Sequence, residues 1–445
     1  MHLLALPPGP RRHGWSFAAA IWLAASVISP PSALHAGTTV KGQKTDSQTP
    51  WEVKQKLRQD SALKKVALAP VRVLAWPGRR ILGGMEAGLL YVEDNRVLVQ
   101  IANFQRRLAD RGLYPQYGGL GDGAGFGAGI LIRRGGRSPE AGYASLKAAA
   151  SIKNFHEYEL ALGEPALIGR LGARGSAFYS RRPQEDFFGL GPDSDEDDRT
   201  NYLEETIGAA LALTIKPSSS LALGATGRLR RVNIGEGTDP LFPATQEEFT
   251  AGEIPGLAQG ADLLSIEGEI AHESADRPGA PSRGGRASLN AGIFKAVDGQ
   301  PLGYTRYRAE LTRFLSLYPG RVLAVHALGV ITDRRHDKAA AFFDLPQLGG
   351  SSTMRGFREH RFRDLDAALF TLEYRWQLWA GMDAVLFADE GQVFDNLEDQ
   401  FKFSRLRTSY GGGLRLKSPA GVFFRYEVGH SQEGTRHFFK FNQSF

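Results

Sequence analysis

The chain carries no apolar run long enough to cross a bilayer as a helix, yet from about Gly123 to its end it alternates in period two. The longest apolar run, Ser16 to Ser29, falls short of the roughly 20 residues a transmembrane helix needs. Alternation is a strand signal, because successive side chains point to opposite faces of a sheet. Phe370, Leu372, Tyr374, Trp376 and Leu378 form an apolar row, and the interleaved Thr371, Glu373, Arg375 and Gln377 form a polar one. Val422, Phe424, Tyr426 and Val428 oppose Arg425 and Glu427 in the same way. The final segment sets Phe439, Phe441 and Phe445 against Lys440, Asn442 and Ser444. A soluble sandwich can show one such strand; here the pattern recurs to the last residue.

Fourteen candidate strands are countable, near 124–133, 143–162, 166–181, 202–216, 220–232, 262–274, 284–296, 303–317, 320–332, 363–379, 382–394, 405–417, 419–430 and 435–445. Turn signals separate them, among them Lys216-Pro217-Ser218, Asp298-Gly299 and Tyr318-Pro319-Gly320. Backbone exposed to hydrocarbon must pair all its polar groups, so only helices and closed barrels span membranes. The expected fold is therefore all-β membrane: a closed antiparallel transmembrane β-barrel over 121–445, with 14–16 strands because bacterial barrels take even numbers.

The N-terminus supplies an address. Arg11 and Arg12 precede the apolar stretch Phe17–Ile28, then Pro30, Pro31 and a small-residue site near Ala36, which together predict a secretory signal peptide over 1–36. Its removal lowers the formal charge from +6 to +4, a mild excess that points to no nucleic-acid partner. The absence of cysteine excludes a disulfide framework in an exported chain. Residues 37–120 differ in pattern from the alternating region, with helix-like spacing at Trp51–Lys65 and at Leu89, Val92, Val97, Ile101 and Phe104. They are read as a short, partly helical periplasmic segment preceding a barrel that starts near Gly123.

Two segments interrupt the alternation. One is Phe187-Phe188-Gly189-Leu190-Gly191-Pro192-Asp193-Ser194, which runs into the acidic stretch ending at Asp198 and reads as a solvated loop. The other is Gly349-Gly350-Ser351-Ser352-Thr353-Met354-Arg355-Gly356-Phe357, with Glu373-Tyr374-Arg375 and Phe387-Ala388-Asp389-Glu390-Gly391 downstream. An arginine on a loop tip, beside glycine and an aromatic anchor, needs inward-facing carboxylates to hold it inside a barrel. Glu373 lies on the polar row of its strand, and Asp389 shares a face with Phe387 and Gly391 in the next. Carboxylates suit charge-assisted, bidentate bonds to a guanidinium.

This set resembles the bacterial surface-antigen superfamily, the BamA/TamA-type outer-membrane barrels, over roughly 115–445. The resemblance favours sixteen strands and the bacterial outer membrane. It implies an extracellular loop folded back into the lumen and locked by Arg355, Gly356, Phe357, Glu373 and Asp389. It also implies a barrel-insertion signal at Phe439, Phe441 and Phe445, read by the barrel assembly machinery. The partners expected are outer-membrane lipid and a client protein or lipid, in a role aiding insertion or translocation. The family members that insert or secrete proteins carry periplasmic polypeptide-transport repeats, and the pattern over 37–120 does not fit one.

Catalysis finds no support in the residues. His156, His272, His326, His336, His360, His430 and His437 are scattered, and none sits in a nucleophile motif or at metal-ligand spacing. No enzyme activity, cofactor or metal is expected. The alternative to the insertion role is a passive pore or structural surface barrel, with Arg308, Glu310, Arg375 and Arg415 in the lumen supplying selectivity. A surface lipase is the more distant one.

Overall fold

Sixteen strands make one antiparallel sheet in unbroken sequence order in the computed structural model. The structure describes residues 103–440, apart from 105–106, 119, 122, 136–140, 278, 335–336, 380, 399 and 419–420. The predicted signal peptide, most of 37–120, and Phe441 and Phe445 lie outside the described residues. The first eight strands are β1 (Leu113–Gly118), β2 (Gly127–Gly135), β3 (Tyr143–Ser151), β4 (His156–Ile168), β5 (Leu171–Phe187), β6 (Thr200–Ile215), β7 (Leu221–Glu236) and β8 (Ala261–Glu273). Then come β9 (Gly284–Ala296), β10 (Gly303–Tyr318) and β11 (Arg321–Arg334). A two-residue ladder, β12 (Gln347–Leu348) with β13 (Phe362–Arg363), sits inside the next connection. The sheet resumes with β14 (Asp366–Trp379), β15 (Met382–Phe394), β16 (Arg407–Ser418), β17 (Gly421–Ser431) and β18 (Gly434–Lys440).

The barrel is nearly closed. Among the described residues β1 pairs only with β2 and β18 only with β17, which leaves a seam between them.

The count of sixteen exceeds the fourteen countable segments for two reasons. The segment near 143–162 holds two strands, because the chain reverses at 152–155, where Asn154 adopts φ 64° and its N–H donates to the Ser151 carbonyl. The sheet also begins at Leu113 rather than near Gly123, so β1 lies within the stretch read as periplasmic. Pro115 masks it in sequence, and an edge strand is where a residue without an N–H is tolerated.

The two faces sort as the period requires. On β14, Phe370, Leu372 and Leu378 are 43%, 49% and 40% exposed on the outer surface, although Trp376 of the same row is covered. Thr371, Glu373 and Arg375 are buried inside. Connections such as 169–170 and 319–320 are tight at one end of the barrel, while 188–199, 237–260, 335–365 and 395–406 are long at the other.

The apolar core lies inside the mouth at the long-loop end. There the inner faces of β5 to β9 turn apolar, at Phe187, Tyr202, Val232, Leu263 and Ala296. They receive Ile254 and Leu257 from one long connection, and Phe342 and Phe343 from another. Phe342 packs edge-on against Phe187 and Tyr202, with ring centroids 5.5 and 5.0 Å apart. Each such buried ring contributes about 1.5–3 kcal/mol, so the long loops are packed structure rather than open coil. Asn201 fastens the 237–260 connection by donating to the carbonyls of Asp239, Phe242 and Pro243 at 3.3, 2.9 and 3.1 Å.

Candidate functional site

The connection 335–365 dips into the lumen and returns, and its tip carries the Arg-Gly-Phe segment. The β12–β13 ladder pairs Gln347 with Arg363 and Leu348 with Phe362, which pinches the base of the excursion. Beyond it, Gly349 N–H donates to Thr353 Oγ1 at 2.8 Å, and Thr353 Oγ1 donates back to the Gly349 carbonyl at 2.6 Å. Met354 and Phe357 are fully buried on either side of Arg355. They pack with Leu348 and Phe362 of the loop and against Leu328, Val330, Ala367, Leu369 and Val393 of the β11, β14 and β15 wall. The inner faces of these strands are apolar at the level where the loop meets them.

Glycine is required where the tip touches the wall. A Cβ on Gly356 would stand 2.6 Å from Ser409 Cβ and 2.8 Å from the His430 carbonyl oxygen, and one on Gly429 would collide with the Arg355 carbonyl. That close approach lets Ser431 Oγ donate to the Gly356 carbonyl at 2.8 Å.

Arg355 is 2% exposed. Its Nε donates to Asp389 Oδ2 at 3.0 Å and its Nη2 to Asp389 Oδ1 at 2.7 Å, a two-point fork that a lysine cannot make. Its backbone N–H reaches the same carboxylate at 3.1 Å, and its Nη1 donates to Glu373 Oε2 at 2.8 Å. The guanidinium also lies 3.5 Å from the centre of the Phe387 ring. Thr371 Oγ1 donates to Asp389 at 3.0 Å, so the carboxylate is held from a neighbouring strand as well. Arg355, Gly356, Phe357, Glu373 and Asp389 thus meet at one point inside the barrel.

The cluster is larger than the motif. Glu373 also accepts from Arg375 Nε at 2.5 Å and Arg415 Nη2 at 2.7 Å. Glu427 accepts from Arg415 Nη2 at 2.6 Å and Arg425 Nη1 at 3.0 Å. Arg425 in turn donates to the Ser351 carbonyl of the loop at 3.2 Å. Four guanidinium groups therefore share three carboxylates, all buried. Removing each charge from water costs several kcal/mol, so the cluster is sustained only while its bonds are complete. Arg375 and Arg415, named from the sequence as selectivity groups, are engaged here rather than lining an open channel. Arg308 and Glu310 do pair on the inner wall, at 2.7 Å.

A family model for the Omp85 superfamily domain matches residues 144–442. The chain belongs to the Omp85 superfamily. The barrel is similar to BamA from Haemophilus ducreyi lacking POTRA domains 1–3, with TM-score 0.55, 14% identity and 77% of each chain covered. It is also similar to CdiB from Escherichia coli, with TM-score 0.51 and 11% identity. That match covers 74% of this chain and 62% of CdiB, less than two thirds of the latter. At these identities the likeness concerns the fold alone. No curated protein matches the sequence.

Three arginines of the Omp85 barrel's loop reach in different directions, of which sequence reasoning singled out one. Arg361 donates to Glu433 at 2.9 Å and to Ser194 Oγ at 2.9 Å. Arg363, 1% exposed, donates to Tyr202 Oη and the Phe342 carbonyl, each at 3.2 Å, among aromatic rings. Glu427 was legible only as a polar-row residue, with no motif to mark it. On the expected insertion signal, Phe439 is 62% exposed on the outer face, packed on Tyr426 with centroids 4.8 Å apart.

Two loop groups near the mouth titrate abnormally. Burial alone would lower the His360 imidazole, but the Glu185 carboxylate 2.9 Å away outweighs it and the net shift is upward. Burial pushes the Asp364 carboxyl up to about 6. Elsewhere the lumen is open: a cavity of about 480 Å³ lies against β4 to β7, lined by Glu159, Arg174, Arg182, Glu204 and Arg228 among others. Another, of about 520 Å³, separates the loop from the β8–β11 wall.

Proposed function

We propose that this Omp85 barrel resides in the bacterial outer membrane and aids insertion or translocation of a protein or lipid there, with the 335–365 loop as an internal lock. The observation that carries the reading is the fork of Arg355 onto Asp389 and Glu373 deep in the lumen. A loop fixed by buried ion pairs suits a barrel that acts by rearranging, not one that conducts steadily. BamA and CdiB share the fold, which is consistent with that class of work. Short turns on the periplasmic side and long loops outside are the ordinary orientation of such barrels, which puts the lock's entrance at the cell surface. The expected signal peptide supports export.

The passive-pore alternative predicts different electrical behaviour. Purified protein in a planar bilayer should show low, intermittent conductance, and Arg355→Ala should raise it. A large, steady wild-type conductance unaffected by that change would favour the pore.

A further inference from the structure

The connection between β15 and β16 turns back over the outer wall of the barrel. Asp389 and Val393 point into the lumen, so by alternation Gln392 and Phe394 point out. Gln392 Nε2 donates to the Gln400 carbonyl at 3.2 Å, and its Oε1 accepts from the Lys402 N–H at 3.4 Å, which ties the returning half of the connection to the wall. Phe394 faces outward yet is only 1% exposed, because it lies under Phe401 with ring centroids 5.5 Å apart. Phe403 stands edge-on to Phe401 at 5.1 Å and is itself 75% exposed. A single 3₁₀ turn, Phe403–Arg405, begins where the Arg405 N–H donates to the Lys402 carbonyl at 2.9 Å, so the exposed ring is presented by ordered backbone.

Around Phe403 the charge has one sign. Residues 400–406 hold Lys402 and Arg405 and no acidic residue. Both cations are exposed, and neither makes an ion pair among the described residues. Below them the outer row of β15 runs Glu390, Ala388, Leu386 and Ala384, flanked by Phe370 of β14 and Tyr410 of β16, 43% and 57% exposed. Glu390 repels an anion placed at its own level, which leaves the level of Lys402 and Arg405 for a phosphate. An exposed ring between cations, at the rim of an apolar wall, suits a bilayer interface: the ring enters among acyl chains while the cations stay at the headgroups. We propose that Phe403, Lys402 and Arg405 form a binding site for an anionic, phosphorylated lipid of the leaflet around the long-loop end. This rests on the reading that the barrel's outer wall faces the outer membrane. The site lies on the opposite face of the strand that carries Asp389, outside the lumen and apart from the Arg355 lock.

The chain has no cysteine, so Ser404→Cys, exposed between the two cations, takes an environment-sensitive dye without background. The labelled full-length protein is reconstituted in phosphatidylcholine nanodiscs containing increasing fractions of diphosphoryl lipid A. Dye emission should shift to the blue as lipid A is added and stay water-like in phosphatidylcholine alone. A cation near an anionic membrane surface contributes about fivefold in affinity, so Lys402→Gln with Arg405→Gln should raise the lipid A fraction at half-shift roughly 25-fold. Arg405→Lys, which keeps the charge, should hold that midpoint, and Phe403→Ser should shrink the shift itself. All three side chains are exposed, and heat-modifiable gel mobility checks that each variant folds. The same dye on Leu372→Cys, 49% exposed on the outer wall of β14, reports whether that wall is in lipid. Water-like emission there in every nanodisc overturns the membrane reading on which the site depends. Lipid-like emission at 372 overturns the site alone if residue 404 ignores lipid A, or if its response survives the double charge variant.

Discussion

On the β14–β17 wall, Arg355, Arg375, Arg415 and Arg425 meet Asp389, Glu373 and Glu427 with no side chain more than 7% exposed. On the β4–β8 wall, Arg174 with Glu159 and Arg228 with Glu267 are pairs of the same chemistry, between 25% and 45% exposed. Strand alternation places charges on the inner face all round the barrel. What differs is cover: the 335–365 loop lies over one wall, and a cavity of about 480 Å³ lies over the other. Exposed pairs contribute little because water competes for both partners, whereas a buried charge left alone is costly. The same residue types therefore act as a lock where the loop descends and as a solvated lining where it does not.

The largest effect should come from Arg355→Ala. It strands Asp389 and Glu373 under the loop, and loss of one side of a buried pair costs about 3–5 kcal/mol. Limited proteolysis should then cut near 340–360 while heat-modifiable mobility shows the barrel intact. A loop as resistant as wild type would mean that the cover, not the ion pair, holds it. Glu427→Gln should cost less, about 1–3 kcal/mol, because an amide still accepts from Arg415 while the charge is lost. Hydrogen exchange of loop amides would measure it, and an effect no larger than that at the open wall would erase the distinction between the two regions.

Acidity separates the loop from the wall in another way. Asp364 titrates at about 6 in the folded loop against its ordinary 3.8, and His360 is raised above 6.5. Both raised groups favour the docked loop when protonated. Their contribution is complete below the unfolded values and is lost as pH rises through the folded ones. Loop protection should thus be greater near pH 5 than near pH 8, by on the order of 2 kcal/mol at about 1.4 kcal/mol per unit. Protection that does not fall as pH rises over that window would show that these groups face water. The smallest effect belongs to Arg174→Ala on the open wall, expected under about 1 kcal/mol in denaturant midpoint. A loss equal to that of Arg355→Ala would contradict the role given to cover.

Much of the fold was legible in the chain. Period two marked the strands of the large sheet from β2 onward, with β3 and β4 read as one segment, and the placement of β9 and β15 matches the segments near 284–296 and 382–394 residue for residue. The hidden strands have local causes: Pro115 in β1, and at 152–155 a reversal without glycine or proline, built by Asn154 in the left-handed region. In the site, Arg355 and Asp389 were marked by the short segments around them. Glu427 was not, because its importance comes from register: β16 and β17 pair Gly413 with Glu427 and Arg415 with Arg425, which sets Glu427 diagonally beside Arg415. Arg361 and Arg363 were invisible because no motif marks them and their partners come from other segments, Ser194 and Tyr202 more than 160 residues away in sequence.

The lock exists only if Arg355 and Asp389 hold the loop by touching each other. A double-mutant cycle with Arg355→Ala, Asp389→Ala and the pair, read as loop-opening free energy from hydrogen exchange, addresses that contact directly. The expected coupling is about 1–3 kcal/mol, the range for residues in one ion-pair network. Effects that add within about 0.5 kcal/mol would mean the two side chains act independently, and the lock as described would not exist.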